Sequence, residues 1–121
     1  MLTQYKFSGY YSNPCLACAT GAGTIYEGVR KIRNGTTKLA IVGGCDINVF
    51  PIAITSFENI GALSTKKWAL PNQCSRPFDT QRDGMVISDG VGLMILEELD
   101  HALSRNANII AEIKGIGTCS M

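Results

Sequence analysis

Only one histidine, His101, occurs in the 121 residues, and the five cysteines include a single closely spaced pair, Cys15 and Cys18. A structural zinc site draws four ligands from cysteine and histidine, usually as two such pairs, and the chain has no second pair to offer. Charge is sparse as well: charged residues make up 17% and the formal net charge is +1. Residues 1–44 hold five of the eleven basic and one of the ten acidic side chains, yet no block of like charge forms a nucleic-acid-binding arm. Long apolar runs are missing too. The most apolar stretch, Leu39 to Phe57, is broken by Gly43, Gly44, Asp46, Asn48 and Pro51, whereas a membrane-spanning helix needs about 20 mostly apolar residues. Lys6 interrupts a beginning that builds no signal core. With no such leader, the odd number of cysteines points to a reducing compartment, either cytoplasm or an organelle matrix.

What is present describes an ordered domain. Hydrophobic residues make up 45%, too many for a disordered chain, and the length suits one domain with a core of its own. Gly9 to Pro14 reads as a turn, and the short apolar segment Pro14 to Cys18 as the end of a strand. Ala22, Ile25, Val29 and Ile32 then recur at spacings of three and four, one face of a helix. Arg30, Lys31 and Arg33 fall in its last turn, where cations suit the helix dipole, and Gly35 follows as a left-handed cap. Leu39 to Val42 is a continuous apolar run, expected as a buried strand parallel to the first, so that Cys15 to Val42 makes a βαβ crossover. Pro51 opens a second helix reaching Phe57 or Asn59. A loop from Gly61 to Arg76 carries Lys66, Lys67 and Trp68 near its middle. Leu93 to Leu96 reads as another buried strand, Asp100 as the N-cap of a short helix, and Ile109 to Ile116 as a half-buried strand with alternating faces. Asp83 and Asp89, each followed by glycine, read as turn formers.

Cys18 stands where chemistry is expected. It falls at the junction of strand, sharp turn and helix, facing unpaired backbone N–H groups and the positive end of the dipole. Both favour a thiolate. A thiolate there can attack an acyl carbonyl, and the same N–H groups can receive the developing oxyanion. Gly21 and Gly23 leave room for an acyl chain to approach. By spacing alone, Cys18 also suits a small buried hydrophobe, and the pair with Cys15 a thioredoxin-like redox motif.

A longer pattern decides between these. Ala17-Cys18-Ala19-Thr20-Gly21-Ala22, Val42-Gly43-Gly44 and Ala62-Leu63-Ser64-Thr65 are followed by Ser75-Arg76-Pro77-Phe78-Asp79 and Arg82-Asp83-Gly84. Ser88-Asp89-Gly90-Val91-Gly92, Leu96-Glu97-Glu98-Leu99, His101-Ala102 and Ala111-Glu112-Ile113 come next. In order and spacing, from about residue 5 to the end, this resembles the β-ketoacyl-acyl-carrier-protein synthases, the elongating condensing enzymes of fatty-acid synthesis. The resemblance implies a partial thiolase-like α/β fold, a mixed sheet with helices whose N-terminal half is incomplete. Residues 1–121 would be a segment of the N-terminal half ending where the C-terminal half begins.

The resemblance also implies roles. Cys18 matches the nucleophile that takes the acyl chain as a thioester; a malonyl-carrier-protein is decarboxylated and its carbanion attacks that thioester. Ala53 and Phe57 match positions lining the acyl pocket. The implied partners are an acyl carrier protein and a second copy of the chain, paired along Asn13 to Ala17, with neither metal nor cofactor, nucleic acid nor membrane. Gly61 stands where the family commonly has an arginine used near the carrier protein, a role that Lys66 and Lys67 could take over. Asp46 replaces a frequent glutamate, and Cys15 has no counterpart in the pattern. His101 corresponds to a helix residue outside the catalytic set. The family's catalytic histidines and lysine come after the point matched by Met121. These 121 residues are therefore expected not to elongate acyl chains alone, and to leave apolar sheet and helix surface exposed. Competing readings are a non-catalytic dimerisation segment, a thiolase, over which the Ser-Arg-Pro-Phe-Asp and Arg-Asp-Gly stretches favour the synthase, and a polyketide synthase, whose nucleophile is usually followed by Ser-Ser.

Overall fold

A computed structural model describes residues 4–67 and 69–119. Trp68 of the basic loop lies outside the described residues. Along the chain run helix α1 (Thr20–Arg33), strand β1 (Leu39–Asp46), helix α2 (Pro51–Asn59), strand β2 (Gly90–Glu97) and helix α3 (Leu99–Ser104). The chain divides into two compact units, residues 1–44 with 92–121 and residues 45–91.

In the first unit, β1 and β2 form a two-stranded sheet. Lys38 pairs with Glu98 through a 2.9 Å backbone bond, and Gly43 lies against Gly92 and Leu93, so the strands run antiparallel. Helix α1 crosses one face of this sheet. Its apolar stripe sets Val29 against Val42 and Leu96 in one buried cluster, with Ile25, Ile32, Ala40 and Ile116 packed around them. Burying three aliphatic side chains contributes on the order of 5–9 kcal/mol, so this small core carries the unit. Gly28 lets the helix come close: a Cβ there would stand 2.7 Å from Val42 Cγ1 and 3.0 Å from Leu96 Cδ1. The opposite face of the sheet stays open, with Leu93 54% and Ile95 63% exposed.

The helix stop is the one the sequence announces. The Gly35 N–H donates to Ile32 O at 2.9 Å and the Thr36 N–H to Lys31 O at 2.9 Å, with Gly35 at φ +70°, a Schellman cap. Helix α2 starts at Pro51 as expected. Helix α3 begins one residue before Asp100, with Glu98 as N-cap and no side-chain cap bond.

Two expected strands are absent. The segment before Cys18 is irregular and passes into a 3₁₀ turn at Ala17–Ala19. The ladder groups of Leu16 are spent locally: its N–H donates to Thr20 Oγ1 at 2.8 Å, and its carbonyl accepts the Ala19 N–H at 3.0 Å. Pro14 offers no N–H at all. The crossover from Cys15 therefore does not close as βαβ, and β1 takes β2, not the Cys15 segment, as its neighbour. Residues 109–116 are not a strand either, because alternation makes a strand only beside a partner edge. That segment is instead tethered to α1, the Arg33 guanidinium donating to the carbonyls of Ile113 (3.3 Å) and Lys114 (2.9 Å).

In the second unit, α2 is followed by irregular chain held by a parallel bridge between Leu63 and Met85. The Ser64 N–H donates to Met85 O and the Met85 N–H to Ala62 O, both at 2.8 Å.

Candidate active site

Cys18 sits in the 3₁₀ turn that runs into α1, and its thiol is exposed. The turn is tight. Ala17, immediately before it, has φ +49°, a conformation that costs a residue with a side chain about 1–3 kcal/mol and persists only where its surroundings impose it. Thr20 imposes it here: its hydroxyl accepts the Leu16 N–H and donates to the Ala17 carbonyl, each at 2.8 Å. The side chain of Leu16 lies over Gly23, where any Cβ would collide with it. The cysteine is thus presented at the head of a 14-residue helix, on the end where the dipole is positive.

The helix head is pinned to the sheet by a residue the sequence reading passed over. Thr24 Oγ1 accepts the Gly43 N–H at 2.9 Å and lies 2.8 Å from Gly21 O and 3.0 Å from Gly43 O, one of which takes its proton. Gly43 adopts φ +144°, and a Cβ on it would stand 2.0 Å from the Gly92 carbonyl oxygen. The following residue, Gly44, comes close to the Gly21 backbone. A threonine one turn into a helix beside a Gly-Gly strand is the signal that would have pointed to this lock.

Ala53 and Phe57 share one half-buried face of α2, in the second unit. An open cavity of about 360 Å³ in that unit is lined by Cys45, Asp46, Ile47, Asp89, Gly90 and Val91, a set that includes neither of them. Asp83 and Asp89 are more than turn formers. Asp83 accepts Ser64 Oγ at 2.8 Å through one oxygen and the N–H groups of Thr65 (3.0 Å) and Lys66 (2.9 Å) through the other. These bonds hold its carboxyl below the ordinary aspartate range, the Lys66 amide contributing most. Asp89 accepts the N–H groups of Asn48 (2.7 Å) and Val49 (2.9 Å) just ahead of α2. Each aspartate staples chain far away in sequence, which a reading of neighbouring residues does not see.

His101 is half-buried, and its Nδ1 bonds to Glu97 Oε1. Arg105 clamps the same carboxylate with Nε at 2.8 Å and Nη2 at 2.7 Å. The two-pronged bond from Arg105, aided by His101, lowers the Glu97 pKa to about 2. This cluster fastens α3 to the end of β2. Among the described residues no group of three or more His, Cys, Asp or Glu side chains could hold a metal ion. No helix among them is long and apolar enough to cross a membrane.

An exposed thiol on a strained turn, at the head of a helix laid across a glycine-backed sheet, marks an α/β protein. The sequence model of the family "Beta-ketoacyl synthase, N-terminal domain" matches residues 4–102, and the chain belongs to that family. It is 40% identical over 114 residues to a mitochondrial 3-oxoacyl-[acyl-carrier-protein] synthase of Arabidopsis thaliana, covering 94% of this chain and 25% of the relative. It is also 40% identical over 120 residues to 3-oxoacyl-[acyl-carrier-protein] synthase 1 of Escherichia coli K12, covering 99% and 29%. The chain thus spans between a quarter and three-tenths of the length of these relatives. Among solved structures it resembles the ketosynthase in a complex described as a type II PKS acyl-carrier protein with its ketosynthase bound to the hexaketide. The TM-score there is 0.85 at 34% identity, over 88% of this chain and 26% of that one. A β-ketoacyl synthase from Burkholderia phymatum STM815 matches with a TM-score of 0.69 at 35% identity, over 76% and 22%. The α/β, thiolase-like fold expected from the sequence is therefore the fold of its neighbours.

Proposed function

We infer that the chain carries the acyl-accepting half-reaction of a 3-oxoacyl-acyl-carrier-protein synthase, with Cys18 as nucleophile. The carrying observation is the exposed Cys18 thiol on the Ala17 turn at the head of α1. The Cys18 sulfur attacks the carbonyl of an acyl thioester, the carrier's phosphopantetheine thiolate departs, and the backbone N–H groups at the helix head steady the oxyanion between. In the complete reaction a malonyl-carrier-protein loses carbon dioxide. The carbanion left behind forms a carbon–carbon bond to the acyl group, and the Cys18 thiolate is released with the 3-oxoacyl-carrier-protein as product. Stabilising the enolate of that second step is work for histidines, and His101 is already committed to Glu97.

The partner is an acyl carrier protein, and Lys66 and Lys67 are the cations of this chain offered to its acidic surface. The chain acts as a segment of the synthase's N-terminal half, in a homodimer paired along Asn13 to Ala17. Ala53 and Phe57 contribute to the wall of the acyl pocket. Five free cysteines favour a reducing compartment, cytoplasm or organelle matrix.

The test is peptide mapping after incubation with octanoyl-N-acetylcysteamine, a small acyl thioester. One octanoyl group on Cys18, abolished in Cys18→Ser, is the expected result. Acylation spread evenly over Cys15, Cys45 and Cys119 would overturn the assignment.

A further inference from the structure

Residues 62–67 lie in no helix or strand, yet their shape is fixed from one side by the chain around Asp83. The Asp83 carboxylate accepts the Ser64 hydroxyl through Oδ1 at 2.8 Å, and the N–H groups of Thr65 and Lys66 through Oδ2 at 3.0 and 2.9 Å. Consecutive residues thus hang on one side chain. The neighbours of Asp83 hold the same stretch at its two ends. Ala62 and Ser64 pair with Met85 through backbone bonds of 2.8 Å each, and the Lys66 ammonium donates to the Gln81 carbonyl at 3.2 Å. Gly84 comes so close to Leu63 that a Cβ on it would collide with the Leu63 carbonyl group. The donors around Asp83, the Lys66 amide foremost, hold its carboxyl below the ordinary aspartate range. The acceptor is therefore charged at neutral pH, and an ionised acceptor binds its donors more strongly than a neutral one. Lys66 and Lys67 stand exposed on the loop so held.

We propose that Asp83 is a positioning residue for carrier recognition: its carboxylate orders residues 64–66 in advance, so that Lys66 and Lys67 meet the acidic surface of the acyl carrier protein in one arrangement. This rests on the reading above, in which the carrier is the partner and those lysines are its contact. As a charge, Asp83 works against that contact, because a carboxylate beside two lysines weakens the positive field that attracts an acidic partner. Its bonds to Thr65 and Lys66 go to the backbone, so what it supplies is shape. A loop that must be ordered on docking subtracts that ordering from the affinity, whereas a loop ordered beforehand does not. Charge and shape therefore predict opposite signs. If charge alone counted, Asp83→Asn and Asp83→Ala would both bind the carrier more tightly than the wild type. If the carboxylate acts by holding the loop, both bind it less tightly, although the surface has become more positive. Asparagine falls between, since its amide oxygen still accepts, but more weakly.

The experiment follows octanoyl transfer to the whole chain from two donors at low ionic strength: a bacterial acyl carrier protein loaded with octanoate, and octanoyl-N-acetylcysteamine. With the carrier as donor, the half-saturating concentration is expected to rise several-fold in Asp83→Ala and by less in Asp83→Asn, at an unchanged maximal rate. With the small thioester, which has no acidic surface to meet the loop, all three proteins should react alike. Equal slowing with both donors would show a defect that reaches Cys18 through the fold and would overturn the proposal. So would an Asp83→Ala protein that saturates at a lower carrier concentration than the wild type, because the carboxylate would then act as a charge only. Fluorescence anisotropy of the labelled carrier reads the same order of affinities without passing through Cys18, so the test stands even where acyl transfer fails. Lys66→Ala/Lys67→Ala separates the proposal from the reading beneath it. It should also weaken carrier binding several-fold, and Asp83→Ala added to it should bring no further loss. If the lysine variant binds the carrier as the wild type does, the contact reading falls and the proposal with it. If the lysine variant is weakened and Asp83→Ala is not, the proposal alone falls.

Discussion

Replacing Gly43 by alanine tests the junction between the strand and the helix that carries Cys18. At φ +144° the backbone of Gly43 lies where only glycine is at ease, which costs alanine about 1–3 kcal/mol. The new methyl group would start 2.0 Å from the Gly92 carbonyl oxygen and 2.9 Å from the Leu93 Cα, well inside the roughly 3.3 Å at which carbon and oxygen touch. Both neighbours are backbone of the partner strand, so relief requires β1 and β2 to part. Parting also moves Gly43 from the Thr24 hydroxyl, which its N–H meets at 2.9 Å, a hydrogen bond worth about 0.5–1.5 kcal/mol. Strain, clash and the lost bond together reach about 3–5 kcal/mol, against a core contributing on the order of 5–9. Thermal melting followed by circular dichroism should show the midpoint falling by about ten degrees or more. Gly92→Ala is the control, since a Cβ there finds nothing within 4 Å. It should change stability by no more than about 1 kcal/mol, in the stabilising direction. A Gly43→Ala protein melting like Gly92→Ala would refute the reasoning.

Thr24→Val keeps the shape of the lock and removes its hydroxyl, so the Gly43 N–H loses its acceptor. Urea unfolding should show a loss of about 1–3 kcal/mol, with Thr24→Ser retaining most of the wild-type stability. Glu97 is ionised more readily folded than unfolded, its pKa falling from 4.5 to about 2. Its contribution is therefore complete above pH 4.5 and lost as the pH falls toward 2. Melting temperatures of the wild type and Glu97→Gln should differ at neutral pH and converge across that window; parallel curves would count against the Arg105 clamp. Asp83→Asn withdraws the carboxylate that holds Thr65 and Lys66. Trypsin should then cut at Lys66 and Lys67 several-fold faster, and an unchanged rate would mean that other contacts hold the loop.

Local pattern and tertiary structure divided the work. The apolar period of Ile25, Val29 and Ile32, the cap at Gly35 and the proline start at Pro51 were all legible, because each is settled by residues within a turn of one another. The place of Cys18 at a helix head was legible for the same reason, and the order of its flanking motifs carried the family. What the sequence alone did not settle depended on partners distant in the chain. The segments before Cys18 and from Ile109 have the alternation or apolarity of strands. In the first, Leu16 spends its ladder groups on Thr20 and Ala19, and the second is tied to Arg33 rather than to a neighbouring edge. Asp83 and Asp89 looked like turn residues and proved to be cross-links to chain 17 to 41 residues away. Thr24 takes its meaning from Gly43, 19 residues on, which only the fold brings opposite it. A hydrogen bond needs a donor and an acceptor in one place, and only the folded chain decides which distant groups share it.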